Sequence, residues 1–361
     1  MRYKEIKYQI ETLIASMRPD EPLPSRDALC HMLMTTRATL HKAIQELVQE
    51  NKLYTRGGSG TYVAGDEPQQ ENTIRFIGLI VPNNITDGYR NLVSGVESYL
   101  REYNINLVLY CTDGNADKQD ACITRLIQSG ITGVVMAPAY SMDITRDYVL
   151  YTRLKQHNVS LVCCYRGLAG VPNVPTVGNN DFYWGYMATK HLISKGYRHI
   201  TYIAQFLLRT TLDRYQGYIA AMVEAGLEIR RDEVVLEVAQ NSDSPEGYQE
   251  TLALLRNNPE IDAIFCNSDR FAGSVYQAIR DCGKKVSDDI GVISIDNFEK
   301  ECLLMKPQLS SIGGHPFEIG RKAAQILLDE MNHKPGKALL FFYLPVLFDR
   351  DSCRGPKPSN T

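Results

Sequence analysis

From Ile74 onward the chain repeats one pattern: a short uninterrupted apolar run, then a longer segment whose apolar residues recur at helical spacing. The runs fall at residues 77–81 (IGLIV), 107–111, 133–137, 159–164, 199–204, 263–266 and 291–295. An apolar run without alternation is what a strand covered on both faces requires, so these read as buried parallel strands. Amphipathic segments lie between them, for example 92–103, 118–129, 186–195, 215–225, 247–256 and 271–283. Such alternation predicts a doubly wound α/β architecture with ligands at the carboxyl ends of the strands. So many strands predict two sheets, and therefore two lobes with a cleft between them.

The first 63 residues follow a different rule. In the stretch 23–63, LPSRDALCHMLMTTRATLHKAIQELVQENKLYTRGGSGTYV, Ser25 is placed to cap a helix carrying Leu29, Met32 and Leu33. Thr35 or Thr36 is placed to cap a second, on which Leu40, Ala43, Ile44, Leu47 and Val48 form one stripe. Off that stripe stand Thr36, Arg37, Thr39, His41 and Lys42, hydroxyls and cations suited to phosphates and base edges. Tyr54 and Thr55 then lead into Arg56-Gly57-Gly58-Ser59-Gly60-Thr61, where glycines permit a tight turn and expose backbone N–H groups. Two short helices and a small hairpin outline a winged helix-turn-helix. Ahead of it, Ile6, Ile10, Leu13, Ile14 and Met17 make residues 3–17 an amphipathic helix able to cover its back, ended by Pro19 and Pro22. Residues 64–73 (AGDEPQQENT) are polar and aperiodic, the composition of a linker. The expected domains are a winged helix-turn-helix at 1–65, a linker at 66–73 and a two-lobed α/β domain at 74–361.

Composition sets limits. The chain has 361 residues and a formal net charge of −3, and residues 1–65 hold nine Lys/Arg against seven Asp/Glu, so charge alone does not announce a DNA binder. Its nine cysteines are odd in number, scattered and never spaced C-x-x-C, which fits buried thiols in a reducing cytosol. The charged N-terminus is not a secretory signal, and no stretch approaches the roughly 18 apolar residues of a membrane span, so a soluble cytoplasmic protein without membrane partners is expected. The phosphate-loop, nucleophile-elbow and H-E-x-x-H signatures are absent, and no histidine has a cysteine at metal spacing; no catalytic role, metal or cofactor is expected. HPFEIG at 315–320 reads as a helix start. Trp184 reads as core, with cleft lining open for Tyr183.

The N-terminal motifs, LPSRDALC, MTTRATLHKAIQEL and NKLYTRGGSGTYV, together resemble the DNA-binding domain of the GntR family of bacterial transcription regulators. The resemblance implies DNA contacts by Ser25, Arg26, Thr36, Arg37, Thr39, His41, Arg56, Ser59 and Gly60. The family's Ser-Glu-Arg is here Ser25-Arg26-Asp27, and His41 stands where an Arg is common. Residues 74–347 resemble the effector domain of the LacI/GalR regulators, similar to periplasmic sugar-binding proteins, through IGLIVPN, VSLVCCYR, VPTVGNNDFYWGYMATKHLISKGYRHITYIA, DRYQGYIAAMVEAGL, AIFCNSDRFAGSVYQAIRDCGKKVSDDIGVISIDN and LSSIGGHPFEIGRKAAQILLDEM. That resemblance implies effector contacts by Thr86, Tyr89, Arg166, Arg214, Ser268 and Asp296. A GntR-type reader joined to a LacI-type sensor resembles the arabinose-repressor branch. It implies a dimeric, sugar-responsive repressor of carbohydrate-utilisation genes that binds a double-stranded operator and is released by a monosaccharide such as a pentose or deoxyhexose. The alternatives are a ligand-dependent activator, a regulator whose ligand is a co-repressor, a sugar-binding transport protein, and a GntR-type head fused to an aminotransferase.

Overall fold

The computed structural model describes residues 2–50, 52–56, 60–64, 75–83, 86–139, 143–238, 245–332 and 339–356. The chain forms two compact units, Met1–Thr73 and Ile74–Thr361. The expected linker, 66–73, lies outside the described residues.

The first unit contains α1 (Arg2–Ile14), α2 (Arg26–Met32), α3 (Arg37–Gln49) and the hairpin β1 (Leu53–Arg56) and β2 (Gly60–Val63). Ser25 caps α2 by accepting the Ala28 N–H at 3.3 Å. Of the two threonines before α3 it is Thr36 that caps, accepting the Thr39 N–H at 3.4 Å. Ile6 and Ile10, Leu29, the α3 stripe of Leu40, Ala43, Ile44 and Leu47, and the strand residues Leu53 and Val63 share one core, so α1 covers the back of the helix pair. That helix stops at Ile14 rather than at residue 17, although Met17 still packs on the core. The antiparallel register runs from Leu53 opposite Val63 to Arg56 opposite Gly60, and Tyr54 stacks on Tyr62 at 5.5 Å.

The second unit runs β3 (Arg75–Val81), α4 (Asp87–Arg101), β4 (Ile105–Cys111), α5 (Ala116–Gln128), β5 (Gly133–Met136), α6 (Ile144–Gln156), β6 (Ser160–Cys164), β7 (Thr176–Asn179), α7 (Asp181–Ser194), β8 (Ile200–Ile203), α8 (Arg209–Glu224) and β9 (Val234–Val235). It continues with α9 (Tyr248–Asn257), β10 (Ala263–Cys266), α10 (Ala272–Asp281), β11 (Gly291–Ile295), α11 (Glu299–Leu304), β12 (Ser310–Gly313), α12 (Pro316–Met331), β13 (Leu340–Tyr343) and β14 (Val346–Phe348). Two six-stranded sheets result, in the orders β13-β7-β6-β5-β3-β4 and β14-β12-β11-β10-β8-β9. All pairings are parallel except β12 with β14. Alternate strand residues feed opposite faces: Leu79 and Val81 pack under α4 and α12, while Ile80 packs under α5 and α6. In the second sheet Ile264 and Cys266 face α9 and α10, and Ala263 and Phe265 face α7 and α8.

The chain passes from the first lobe to the second between β7 and α7, returns between β12 and α12, and crosses again between β13 and β14. Three connections therefore run beside the cleft. Two features differ from the sequence expectation. The run 107–111 lies in β4, a half-buried edge strand rather than a buried one. Strands β7 and β12, both interior, escaped the apolar-run criterion, as did β9, β13 and β14.

Candidate functional site

The strand ends of the two lobes enclose a cavity of about 670 Å³. Thr86, Tyr89, Arg166, Arg214, Ser268 and Asp296 all line it. The first three belong to the first lobe. Thr86 precedes α4 and donates its hydroxyl to Asn83 Oδ1 at 3.2 Å. Tyr89 meets Tyr165 edge to face at 5.7 Å, and Arg166 donates to the Pro138 carbonyl. In the second lobe Arg214, on α8, donates from Nε to Asp181 Oδ1 at 2.7 Å and from Nη1 to the Asn267 carbonyl at 3.0 Å. Ser268 donates to Asp296 Oδ2 at 2.7 Å. Asp296 leaves β11 with φ of 109°, a left-handed conformation costly for a residue with a Cβ.

Burial raises the pKa of Asp181 and of Asp296, opposed in both by the charge of Arg214 and, for Asp296, by the Ser268 hydrogen bond. Burial acts against the charge of Arg214, but the two carboxylates outweigh it and its pKa is raised. Behind Asp296 the buried Asp269 accepts the Ser311 hydroxyl at 2.8 Å, the Phe298 N–H at 2.7 Å and the Ser294 hydroxyl. Its pKa is nonetheless pushed up to about 7, by burial first and then by Asp296.

Residue-by-residue reading missed Asp181, Asn179, Trp184, Asn267 and His315, all of which line the cavity. Only their place at strand and helix ends hinted at this. Trp184 is in the core as expected, 2% exposed, and its ring also reaches the cleft. Tyr183 is 40% exposed and does not line the cavity, because one step along α7 turns it toward solvent. Asp113, Asp181, Glu246 and Asp296 accompany Arg166, Arg214 and Arg270 around the cavity, so its lining carries no excess of positive charge for an anionic ligand.

In the first unit, Arg37 opens α3, exposed and paired with Asp27, whose Oδ1 accepts from Nε at 2.9 Å and Nη2 at 2.5 Å. Thr36 and Thr39 hydroxyls lie 2.9 Å apart. Arg26 and His41 are exposed, as is Gly60, which starts β2 with φ of 125°. Lys42 sits over the Tyr3 ring at 4.3 Å. Arg56 ends β1, while Ser59 and the Arg56 side chain lie outside the described residues.

Away from the cleft, His191, Asp349 and Cys353 bring potential ligand atoms within 4.8 Å of one another, a grouping that spacing along the chain did not foretell. Asp349 already takes Lys195 at 2.7 Å and lies 3.2 Å from His191 Nε2, so the group ties the C-terminal segment to α7.

Residues 75–338 match the family described as periplasmic binding proteins and sugar binding domain of LacI family. The chain belongs to that family. Residues 2–63 of this LacI-type regulator match the bacterial regulatory proteins of the gntR family. It is 26% identical over 358 residues to the arabinose metabolism transcriptional repressor of Geobacillus stearothermophilus, covering 98% of both chains, so head and sensor match together. It is 32% identical over 299 residues to the HTH-type transcriptional repressor PurR of Glaesserella parasuis, covering 78% of this chain and 82% of that one. In fold it is similar to a transcriptional regulator CelR–cellobiose complex, with a TM-score of 0.68, 24% identity and coverage of 88% and 90%. A LacI family regulator from Enterococcus faecium with bound ribose gives a TM-score of 0.63, 24% identity and coverage of 77% and 98%.

Proposed function

We propose that the protein is a sugar-responsive transcriptional repressor: paired winged heads hold an operator, and an uncharged sugar in the interlobe cleft releases it. The observation carrying this reading is the constellation of Arg214, Asp181, Ser268 and Asp296 facing a first-lobe wall of Thr86, Tyr89 and Arg166, in a chain that also carries a winged head. Paired donors and acceptors with an aromatic face suit a polyhydroxyl ligand, and a lining with balanced charge suits a neutral one. The repressor, cellobiose-bound and ribose-bound relatives support it.

At the DNA end, Ser25, Arg26, Thr36, Arg37, Thr39 and His41 face the operator from α2 and α3, with Arg56, Ser59 and Gly60 from the wing. Two heads in a homodimer meet half-sites of a near-palindromic operator. The protein acts by binding, without a catalytic step, in the cytoplasm where its DNA is. No helix among the described residues is long and apolar enough to cross a membrane.

A thermal-shift panel of L-arabinose, D-ribose, D-xylose, L-fucose and cellobiose, each with its phosphate where one exists, tests the ligand class. A neutral sugar at 100 times its Kd stabilises the sensor by about 2.7 kcal/mol. A panel in which only phosphates shift the melting temperature would overturn the uncharged-ligand reading.

A further inference from the structure

We propose that Asn179 and Trp184 form a hydroxyl-recognition pair at the base of the cleft, holding one ligand hydroxyl as donor and acceptor at once. This inference rests on the sugar-sensing reading above. Asn179 ends β7 in the first lobe, and Trp184 lies in the opening turns of α7 in the second, so the first lobe-to-lobe crossing runs between them. Both line the cavity. Asn179 Oδ1 and Trp184 Nε1 are each buried without a hydrogen-bond partner among the described residues. A buried acceptor and a buried donor left idle each carry a desolvation cost, which a ligand group with the right polarity removes.

The two side chains converge. Gly314, on the second crossing, faces both: a Cβ built on it would fall 2.9 Å from Asn179 Oδ1 and 2.8 Å from Trp184 Cζ2. A glycine there lets the second crossing lie against the amide oxygen and the benzo edge of the indole, where any larger residue would clash. The Arg214 guanidinium lies 5.8 Å from the Trp184 ring centroid, so the pair adjoins the second lobe's cation.

The polarity selects the ligand group. A hydroxyl donates its hydrogen to Asn179 Oδ1 and accepts the Trp184 N–H on a lone pair. A carboxylate or phosphate oxygen only accepts and would face the amide oxygen without a hydrogen. An ammonium only donates and would leave the indole N–H unpaired.

Trp184 is the sole tryptophan of the chain, so its emission reports on this position alone. The experiment titrates the full-length protein with whichever panel sugar raises its melting temperature, follows tryptophan emission, and then measures Kd calorimetrically for that sugar and its monodeoxy analogues. Wild type, Trp184→Phe and Asn179→Leu are compared. The expected results are an emission change that saturates with binding, a roughly tenfold weaker Kd in each variant, and one monodeoxy analogue whose roughly tenfold deficit in wild type vanishes in both variants. A purely packing role for the two residues lowers affinity for all analogues alike; that outcome, or Kd values within twofold of wild type, overturns the pair. If no panel sugar shifts the melting temperature, the sensing reading fails first and this inference with it.

Discussion

Arg214 is held by carboxylates, with Asp181 at 2.7 Å and the charge of Asp296 nearby, at the wall of the cleft. Replacing it by alanine leaves Asp181, 9% exposed, as an uncompensated buried carboxylate, so Arg214→Ala lowers sensor stability by about 3 kcal/mol and abolishes the sugar-induced thermal shift. Calorimetry with and without sugar reads both effects. Asp269 behaves differently, since three hydrogen bonds do not offset its burial. Its carboxyl titrates near 3.8 when unfolded and near 7 when folded, so between those values the folded chain keeps a proton that the unfolded chain has lost. Stability therefore falls as pH rises through that window and levels off above about 7. Asp269→Asn costs about 1–3 kcal/mol through its hydrogen bonds yet makes the decline of melting temperature between pH 5 and pH 7 shallower. In the winged unit Asp27 occupies Arg37. Asp27→Ala is expected to tighten binding to arbitrary duplex DNA and steepen its salt dependence by about one counterion, whereas Arg37→Ala weakens operator binding by about 1–3 kcal/mol. Filter binding across a salt series distinguishes them.

Each lobe contains a helix pair packed with almost no side chain between the backbones. In the first, a Cβ on Gly320 of α12 would fall 2.2 Å from the Leu92 carbonyl of α4; in the second, a Cβ on Gly185 of α7 would fall 2.0 Å from the Arg214 carbonyl of α8. The second contact sets where Arg214 stands. Gly185→Ala must push α8 aside, costing about 1–3 kcal/mol and weakening sugar binding, whereas a surface alanine such as Arg209→Ala does neither; chemical denaturation and calorimetry check this. Both helix pairs and most strands were legible in the sequence because buried parallel strands are apolar throughout. Strands β7 and β12 were not, because TVGN and SSIG bury Thr176, Ser310 and Ser311 instead of aliphatic groups. The two serines are satisfied tertiarily, Ser310 Oγ accepting the Arg350 N–H at 2.8 Å and Ser311 donating to Asp269, while Thr176 donates to the nearby Val174 carbonyl. Helices α4 and α7 begin at Asp87 and Asp181, five residues ahead of their periodic stripes, because their first turns (DGY and DFYW) place Tyr89, Asp181 and Trp184 at the cleft instead of continuing the apolar stripe. For that reason the family resemblance located Arg214 and Asp296, but the partners Asp181 and Asn267 became visible only in three dimensions.

At the scale of the molecule, the sugar acts only through a difference in affinity between the operator-holding and released forms. Each tenfold loss of operator affinity requires about 1.4 kcal/mol of coupling, and operator must weaken sugar binding by the same factor. Equal sugar affinities with and without operator DNA, measured by calorimetry, would exclude allosteric release. The three crossings between lobes have a further consequence, for synthesis. The first lobe's sheet is missing β13 until residue 343 has been made, and one face lacks the Ile319, Ala323 and Leu327 cover of α12 until residue 331 has been made. At about 5–20 residues per second, the ribosome takes on the order of 10–30 s to go from the end of β7 to the end of β13. Throughout that interval a five-stranded sheet, its Ile77, Leu79 and Val81 face covered by α4 without α12, must wait while the second lobe is made. The nascent chain is thus most open to chaperone capture and aggregation late, and a stop codon before α12 exposes that face permanently.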